Sequence, residues 1–492
     1  MKNLRYRRQF LLSRSQIRSL TDWNYIKNQK YHLYAHPDLE IERNGSLTLI
    51  GHIFDYQYPE KTNSCILQDI AENSRNLSGI FQFMKRYSGS YVLMFLSDDN
   101  MHVFHDAKGK REIYYCAHYN EIICGSQPNL IAEYSKPKIQ ISQDPELLDF
   151  FNHYLYDSGW VGNESLFDGV CHLPPNHYLD INDLKARRYW PNRIIPRTSM
   201  EDATAKGCSY LKGSLRAMVN RYPAVMMAVT SGNDSRILLA ASRELLGEIY
   251  FFINDENLGR RHPDIWVPES IFENIAAPFH VHEVPEGVDG KFRRLYKNNV
   301  ILANEERLSY IFNVLYREHS NKVVLSGGSE MVLVQKEPRV LGKHRMAFSM
   351  GYSKCKYVQR QCEKIRPEVE ETARKFNVAV QTLFYWEQKL GNWASAKVSE
   401  GLIASEKLDP FNSHHYCETL LGVDKRYRRT EKKPCRLYLE MINYLWPELL
   451  EFPINPPTTV AEHTKRFAAK LGIMGFMREL RYQKQNMKDN LL

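Results

Sequence analysis

Hydrophobic and polar positions follow two grammars along this chain. Up to about residue 190, short apolar runs alternate with polar residues, as in "SLTLIGHIFDY" and "GSYVLMFLSDDNMHVFHDAKGKREIYYCAHYNEIICGS". This period-two alternation, cut by turn residues at Asp98-Asp99-Asn100 and Lys108-Gly109, predicts an antiparallel meander. A helical stretch is predicted from about Pro145 to Tyr156, and "HLPPNHYLDIN" leads into a last strand. Beyond Pro196 the pattern changes. A helix over about Met200 to Asn220 precedes an apolar strand, Ala224 to Val229, and "EIYFFIN", "HVHEV" and "KVVLS" read as further buried strands between helices. Strands alternating with helices predict a parallel, doubly wound sheet. From about Pro367 onward the pattern is largely helical, with "RLYLEMINYLW" as a core-facing helix, before Pro-rich "EFPINPPTT" and a basic amphipathic tail. The segment "PNRIIPRTS" reads as a linker, so one unit is expected over residues 1–192 and a second over 198–492.

Composition changes this picture little. The chain is long enough for several cores, and 43% hydrophobic with 25% charged residues fits an ordinary globular protein. Lys and Arg exceed Asp and Glu by 66 to 57, a mild excess that a solvated basic surface explains. No basic stripe interleaved with aromatics stands out, so nucleic acid is not an expected partner. The longest apolar runs are far too short to span a bilayer, and the basic opening lacks the apolar stretch of a signal peptide; a cytoplasmic protein is expected. Nine scattered cysteines form no CxxC pair, which suits reduced thiols. Cys417 lies near His414 and His415 without a second ligand pair, so packing is preferred to zinc there.

Chemistry is concentrated in "AVTSGNDSRILLAAS", from Ala228 to Ser242. A buried strand ends in small hydroxyl residues, one glycine and one carboxylate, where a helix begins. In an open parallel sheet, ligands bind at the carboxyl ends of strands, and a helix starting there offers unpaired N–H groups to an anion such as pyrophosphate. Small residues permit close approach of the backbone, and hydroxyls add donors. Asp234 beside phosphate implies an intervening cation, Mg²⁺. A plainer reading is that Asp234 or Ser235 only caps the helix. The pattern matches neither the Walker A loop nor the G-x-G-x-x-G dinucleotide loop.

"TSGNDSR" resembles the S-G-G-x-D-S pyrophosphate loop of the asparagine synthetase-like ATP pyrophosphatases. Thr230 takes the first hydroxyl position, Ser231 replaces the first glycine, and Gly232, Asp234 and Ser235 match directly. Asn233 fills the variable position, and Arg236 follows as a candidate helper. "VVLSGGSEM" resembles the family's second motif, with Gly328 and Ser329 in register and Glu330 in place of a metal-binding Asp. "EKLDPFNSHHYCETLLGV" is similar to a further family segment through Glu406, Pro410 and Phe411. In the first unit, Asp106 and Gly109 within "HDAKGKREIYY", and "SLFDGVCHLPPNHYLDI" after them, resemble a class II glutamine amidotransferase domain. The resemblance implies an Ntn-type antiparallel β-sandwich flanked by helices, followed by a parallel-sheet ATP-pyrophosphatase domain with added helices. It also implies ATP and Mg²⁺ as cofactors, with Asp234 and Glu330 on the metal.

Three departures bear on activity. Residue 2 is Lys2, where such amidotransferases carry a nucleophilic cysteine, so the first unit is expected to be inactive as a glutaminase, as in β-lactam synthetase-like relatives. Gly327 stands where the family places Glu or Tyr to order the attacking amine. Glu387, in "FYWEQKLGNW", is a candidate replacement base, against the alternative of a structural glutamate beside Trp386. The family's charge-stabilising lysine has Lys432 and Lys433 as candidates, against the alternative of exposed lysines.

The resemblance implies an ATP-dependent amide-forming ligase. It would adenylate a small-molecule, peptide or sugar-acid carboxylate, releasing pyrophosphate, and pass the acyl group to ammonia or an amine. Two alternatives stay open: a catalytically degenerate scaffold, and an RNA- or base-adenylating enzyme. Oligomeric state is also open, a homodimer being one option.

Overall fold

The computed structural model describes residues 4–97, 100–118, 121–155, 159–255, 258–327, 343–428 and 435–458. Its first part holds two six-stranded antiparallel sheets. One runs, in spatial order, Cys171–His172, Tyr114–His118, Glu121–Gly125, Phe10–Ser13, Tyr31–Ala35 and Asn24–Asn28. The other runs Lys185–Arg188, His177–Asp180, Asn100–His105, Ser88–Ser97, Leu47–Phe54 and Ile41–Asn44. Alternation explains how they pack. Phe10, Leu12, Tyr31 and Leu33 of the first sheet share one buried cluster with Ile50, Val92, Met94 and Val103 of the second. The opposite residues of each strand face helices: Leu49, Leu93 and Phe104 meet Ile66, Ile70 and Ile80, while Leu11, Tyr34 and Ile123 meet Leu130 and Ile131. The result is a two-sheet sandwich covered by helices on both outer faces. The predicted last strand is a hairpin of two, His177–Asp180 and Lys185–Arg188.

The second part is built on a five-stranded parallel sheet, ordered His280–His282, Ile249–Asn254, Val225–Ala228, Val323–Leu325 and Lys407–Leu408. Near-continuous apolar strands mean burial on both faces. Val225, Met227 and Phe251 pack with Leu211, Leu215 and Ile237 of the Met200–Arg221 and Asn233–Ala241 helices. Met226, Phe252 and Val324 pack instead with Phe292, Tyr296 and Ile311 from the Gly290–Asn299 and Tyr310–Glu318 helices. Helices thus lie on both faces, as the alternation predicts.

Helical structure on the C-terminal side is already present at Lys343–Ser349, earlier than the sequence pattern indicated, and Pro367 lies inside the Lys356–Phe376 helix. An internal proline removes one ladder bond, but Val369, Thr372 and Ala373 bury the same helix, and packing outweighs the local defect. Between Arg188 and Met200 no strand or helix forms. The core is nevertheless continuous across it, because one cluster joins Phe81 and Leu93 to Leu211 and Val225. At Gly213 the Met200–Arg221 helix crosses the first part so closely that a Cβ would fall 2.0 Å from the Tyr56 carbonyl oxygen.

Candidate functional site

The Val225–Ala228 strand is the middle one of five, and it comes first in the chain. Successive strands Ile249–Asn254 and His280–His282 are added on one side of it, and Val323–Leu325 and Lys407–Leu408 on the other. The order therefore reverses between Val225–Ala228 and Val323–Leu325, and the crevice beyond their carboxyl ends is the place where such sheets bind ligands. Two loops meet there. Thr230 to Gly232 follow the first strand, and Gly327 follows the second. A Cβ on Gly327 would lie 3.2 Å from the Asp234 Cβ, so a residue with a side chain there would crowd Asp234.

The helix starts at Asn233 with Gly232 as its N-cap, at φ −79° and ψ 168°, and no side chain caps it. Asp234 lies in its first turn, where a carboxylate also complements the helix dipole. The hydroxyls are engaged with one another. Ser235 Oγ accepts from the Thr230 N–H at 3.0 Å and lies 3.0 Å from Thr230 Oγ1, which accepts from the Gly232 N–H at 3.2 Å. These contacts hold the turn in a tight, preformed shape. Asn233 Oδ1 is buried without a hydrogen-bond partner among the described residues. Such an orphaned acceptor is costly unless a cation, water or donor group comes to it.

Ser231 is held by a residue that sequence reasoning missed. Asp264 Oδ1 accepts from the Ser231 N–H at 2.9 Å and from its hydroxyl at 2.6 Å. Asp264 opens the Pro263–Asn274 helix, which follows the neighbouring strand, so the topology brings its carboxylate to the same crevice. A carboxylate accepting from a loop N–H does what a phosphate oxygen would do. The sequence signal was modest: His262, Pro263 and Asp264 form an ordinary helix start, with His262 as N-cap.

Other sequence-predicted residues lie elsewhere. Arg236 is fully buried, and its guanidinium donates to the backbone carbonyls of Leu449 at 2.7 Å, Phe452 at 3.2 Å and Pro453 at 3.1 Å. Burial pushes it down to about 10. Through its two terminal nitrogens it ties the Asn233–Ala241 helix to the C-terminal segment, which turns the guanidinium toward those carbonyls. Glu387, the candidate base, is a buried ion-pair partner instead: Arg188 donates to both carboxylate oxygens and Asn176 Nδ2 donates to Oε1 at 3.0 Å. A carboxylate so engaged has its oxygens taken up by Arg188 and Asn176. Gly328, Ser329, Glu330, Lys432 and Lys433 lie outside the described residues.

The "EKLDPFN" segment makes internal contacts as well. Glu406 pairs with Arg111, Arg8 and His52; burial would raise its pKa, but those cations, Arg111 foremost, hold it at about 2. Asp106 accepts from the N–H groups of Lys110 at 2.8 Å and Arg111 at 3.0 Å, and from Asn412 Nδ2 at 2.7 Å. Gly109, at φ +66°, makes the turn those contacts require. His414 and His415 do not converge on Cys417 as ligands: His414 Nε2 is 3.0 Å from Asn176 Oδ1, and His415 stacks on Tyr56.

No protein-family model matches the chain, and no curated protein matches it. Solved structures similar to it include the glutamine phosphoribosylpyrophosphate amidotransferase from B. subtilis complexed with ADP and GMP. The two share 13% identity at a TM-score of 0.23, over 61% of this chain and 88% of that one. A second, the allosteric regulatory enzyme of purine biosynthesis, is 11% identical at a TM-score of 0.23, over 57% of this chain and 76% of that one. Among the described residues, no helix is long and apolar enough to cross a membrane.

Proposed function

We propose that the chain is an ATP-dependent amide-forming ligase acting at the crevice between the Val225–Ala228 and Val323–Leu325 strands. The observation that carries this reading is the approach of Gly327 to Asp234 at the switch point of the parallel sheet, beside a helix start without a side-chain cap. The "TSGNDSR" resemblance supplies the reaction class. In this reading the N–H groups at the start of the Asn233 helix, with Thr230, Ser231 and Ser235, receive the pyrophosphate part of ATP. Asp234 and Glu330 would hold Mg²⁺, which neutralises phosphate charge when bound. A substrate carboxylate attacks the α-phosphorus, the α–β bridging bond breaks, and pyrophosphate leaves. An amine nitrogen then attacks the acyl carbon of the mixed anhydride, and AMP departs as the amide forms. Ser231 must exchange the Asp264 carboxylate for phosphate before the first step.

That closure favours a second reading, in which the chain is a degenerate synthetase kept as a binding subunit and Asp264 is a permanent stopper. Product analysis separates the two. Purified protein with Mg-ATP, a panel of carboxylates and ammonium or small amines is assayed for AMP plus pyrophosphate against ADP plus phosphate. Carboxylate-dependent AMP and pyrophosphate, abolished in Asp234→Ala with the fold intact, is the expected result. No turnover and no nucleotide binding by calorimetry would leave the scaffold reading standing.

A further inference from the structure

We propose that His282, His319 and Glu318 form a binding site for a divalent transition-metal ion of the zinc type, at the edge of the parallel sheet and separate from the pyrophosphate loop. The donor atoms of these three residues all lie within 4.8 Å of one another. The fold assembles them from two elements. Parallel register pairs Phe252 with His280 and Asn254 with His282, which puts both histidines on the sheet face that carries Tyr250. His280 stacks on Tyr250 at 4.1 Å between ring centroids, and the rings of His282 and His319 lie 5.8 and 5.1 Å from it. Glu318 and His319 come from the end of the Tyr310–Glu318 π-helix. The His319 N–H bonds the Val314 carbonyl five residues back at 3.0 Å, and this wider register sets the direction in which the pair leaves the helix. Wide-register turns of this kind recur at functional sites.

Geometry favours a metal over a hydrogen bond between the rings. His282 Nε2 and His319 Nε2 face each other at 3.3 Å, beyond the usual N–H acceptor range of about 2.7–3.2 Å. The Tyr250 hydroxyl stands 3.2 Å from the same His282 nitrogen, so two neighbours crowd an atom that has one lone pair or one proton. Two nitrogens each about 2.05 Å from a tetrahedral zinc ion are about 3.3 Å apart, which is the separation seen. Two imidazoles and a carboxylate suit zinc, cobalt or nickel and are a poor set for Mg²⁺, which prefers oxygen ligands. Glu318 is exposed, His282 is half-buried and His319 is buried, so the site opens on one side and leaves a coordination position for water.

One group opposes the ion and supplies a signature. Lys322 Nζ lies 3.0 Å from His319 Nδ1 and 5.0 Å from the Tyr250 ring centroid. A metal on His319 Nε2 leaves the ring proton on Nδ1, so the half-exposed Lys322 must turn toward solvent. Removing that ammonium should therefore strengthen binding, whereas removal of a purely structural lysine would not.

The test is titration of the full-length, chelator-treated protein with Zn²⁺ in calorimetry, and with Co²⁺ in visible absorption. One saturable equivalent per chain is expected, with the intense visible bands of low-symmetry Co²⁺. Affinity should fall about ten-fold or more in Glu318→Gln, an exposed position that threatens no packing, and in His282→Asn. It should rise about three- to ten-fold in Lys322→Ala. Absence of saturable binding, or binding that Glu318→Gln and His282→Asn leave unchanged, would overturn the assignment.

Discussion

Asp264→Ala removes a carboxylate that holds the loop at Ser231, and the consequence can be sized from the contacts. Asp264 accepts two hydrogen bonds from Ser231, at 2.9 and 2.6 Å, with its side chain 32% exposed. A hydrogen bond to an ionised acceptor contributes about 1.5–3 kcal/mol net, and partial exposure keeps the pair together near ~2–3 kcal/mol. Phosphate that takes the same donors must first break both bonds and approach a negative charge. With alanine the competitor is gone, so Mg-pyrophosphate and Mg-ATP are expected to bind about ten- to 100-fold more tightly. Asp264→Asn keeps the acceptor oxygen and drops the charge, and its affinity should fall between wild type and alanine. The assay is calorimetric titration of each variant with Mg-pyrophosphate and Mg-ATP at fixed ionic strength, with thermal melting as the check on folding. Unchanged affinity in folded Asp264→Ala would refute the loop as the phosphate site. Weaker affinity would refute the competitor role and make Asp264 a ligand of the nucleotide complex.

Two further predictions separate structural from chemical roles. Glu387→Ala takes one carboxylate from the largely enclosed Arg188 and leaves it Glu368, so it should cost about 1–3 kcal/mol, read as a lowered melting temperature, while turnover per folded molecule stays at the wild-type value. His414 is fully enclosed, and burial pushes its imidazole down to about 3, so the unfolded chain takes a proton near pH 6.5 while the fold refuses one until about pH 3. Stability from this residue is complete above pH 6.5 and erodes as pH falls below it, by about 2 kcal/mol at pH 5, so His414→Gln should flatten the stability profile between pH 6.5 and 4 in urea unfolding.

Legibility of this fold in the sequence followed the length and regularity of each signal. The apolar runs at Val225–Ala228, Ile249–Asn254 and Val323–Leu325 were visible because strands buried on both faces need uninterrupted hydrophobics. The helix start at Asn233 was visible because glycine and small hydroxyl residues end the strand just before it. Lys407–Leu408 was not visible, since two residues carry no period and only pairing with Val324 and Leu325 makes them a strand. The surroundings of Arg236 were not legible because a guanidinium in a first helical turn faces an anion or the core depending on what covers it, here a segment 213 residues later in the chain. Asp264 and the His282–His319 pair share that difficulty. The alternating histidines of "HVHEV" predict one shared face, but the partner that completes the site, His319, arrives only through the helix packed on it.

The joint between the two parts gives a physical reason for the "EKLDPFN" segment that differs from catalysis. Its Glu406, Asp409 and Asn412 point back into the sandwich: Glu406 pairs with Arg111, Asp409 accepts from Lys108 Nζ at 2.9 Å, and Asn412 donates to the Gly89 carbonyl at 2.6 Å and to Asp106. Lys108 and Asp409 are 0% and 4% exposed, so neither charge has water as an alternative partner. Buried charges are tolerated only when paired, and removing one member of such a pair costs more than the pair itself contributes. The turn at Asp106 to Arg111, read as the mark of an amidotransferase-like unit, is therefore also the socket into which the second part locks. The first part is bound to the second by this complementarity independently of any chemistry of its own. Loss of the sandwich would strand the Glu406 and Asp409 carboxylates at the margin of the very sheet that positions Asp234.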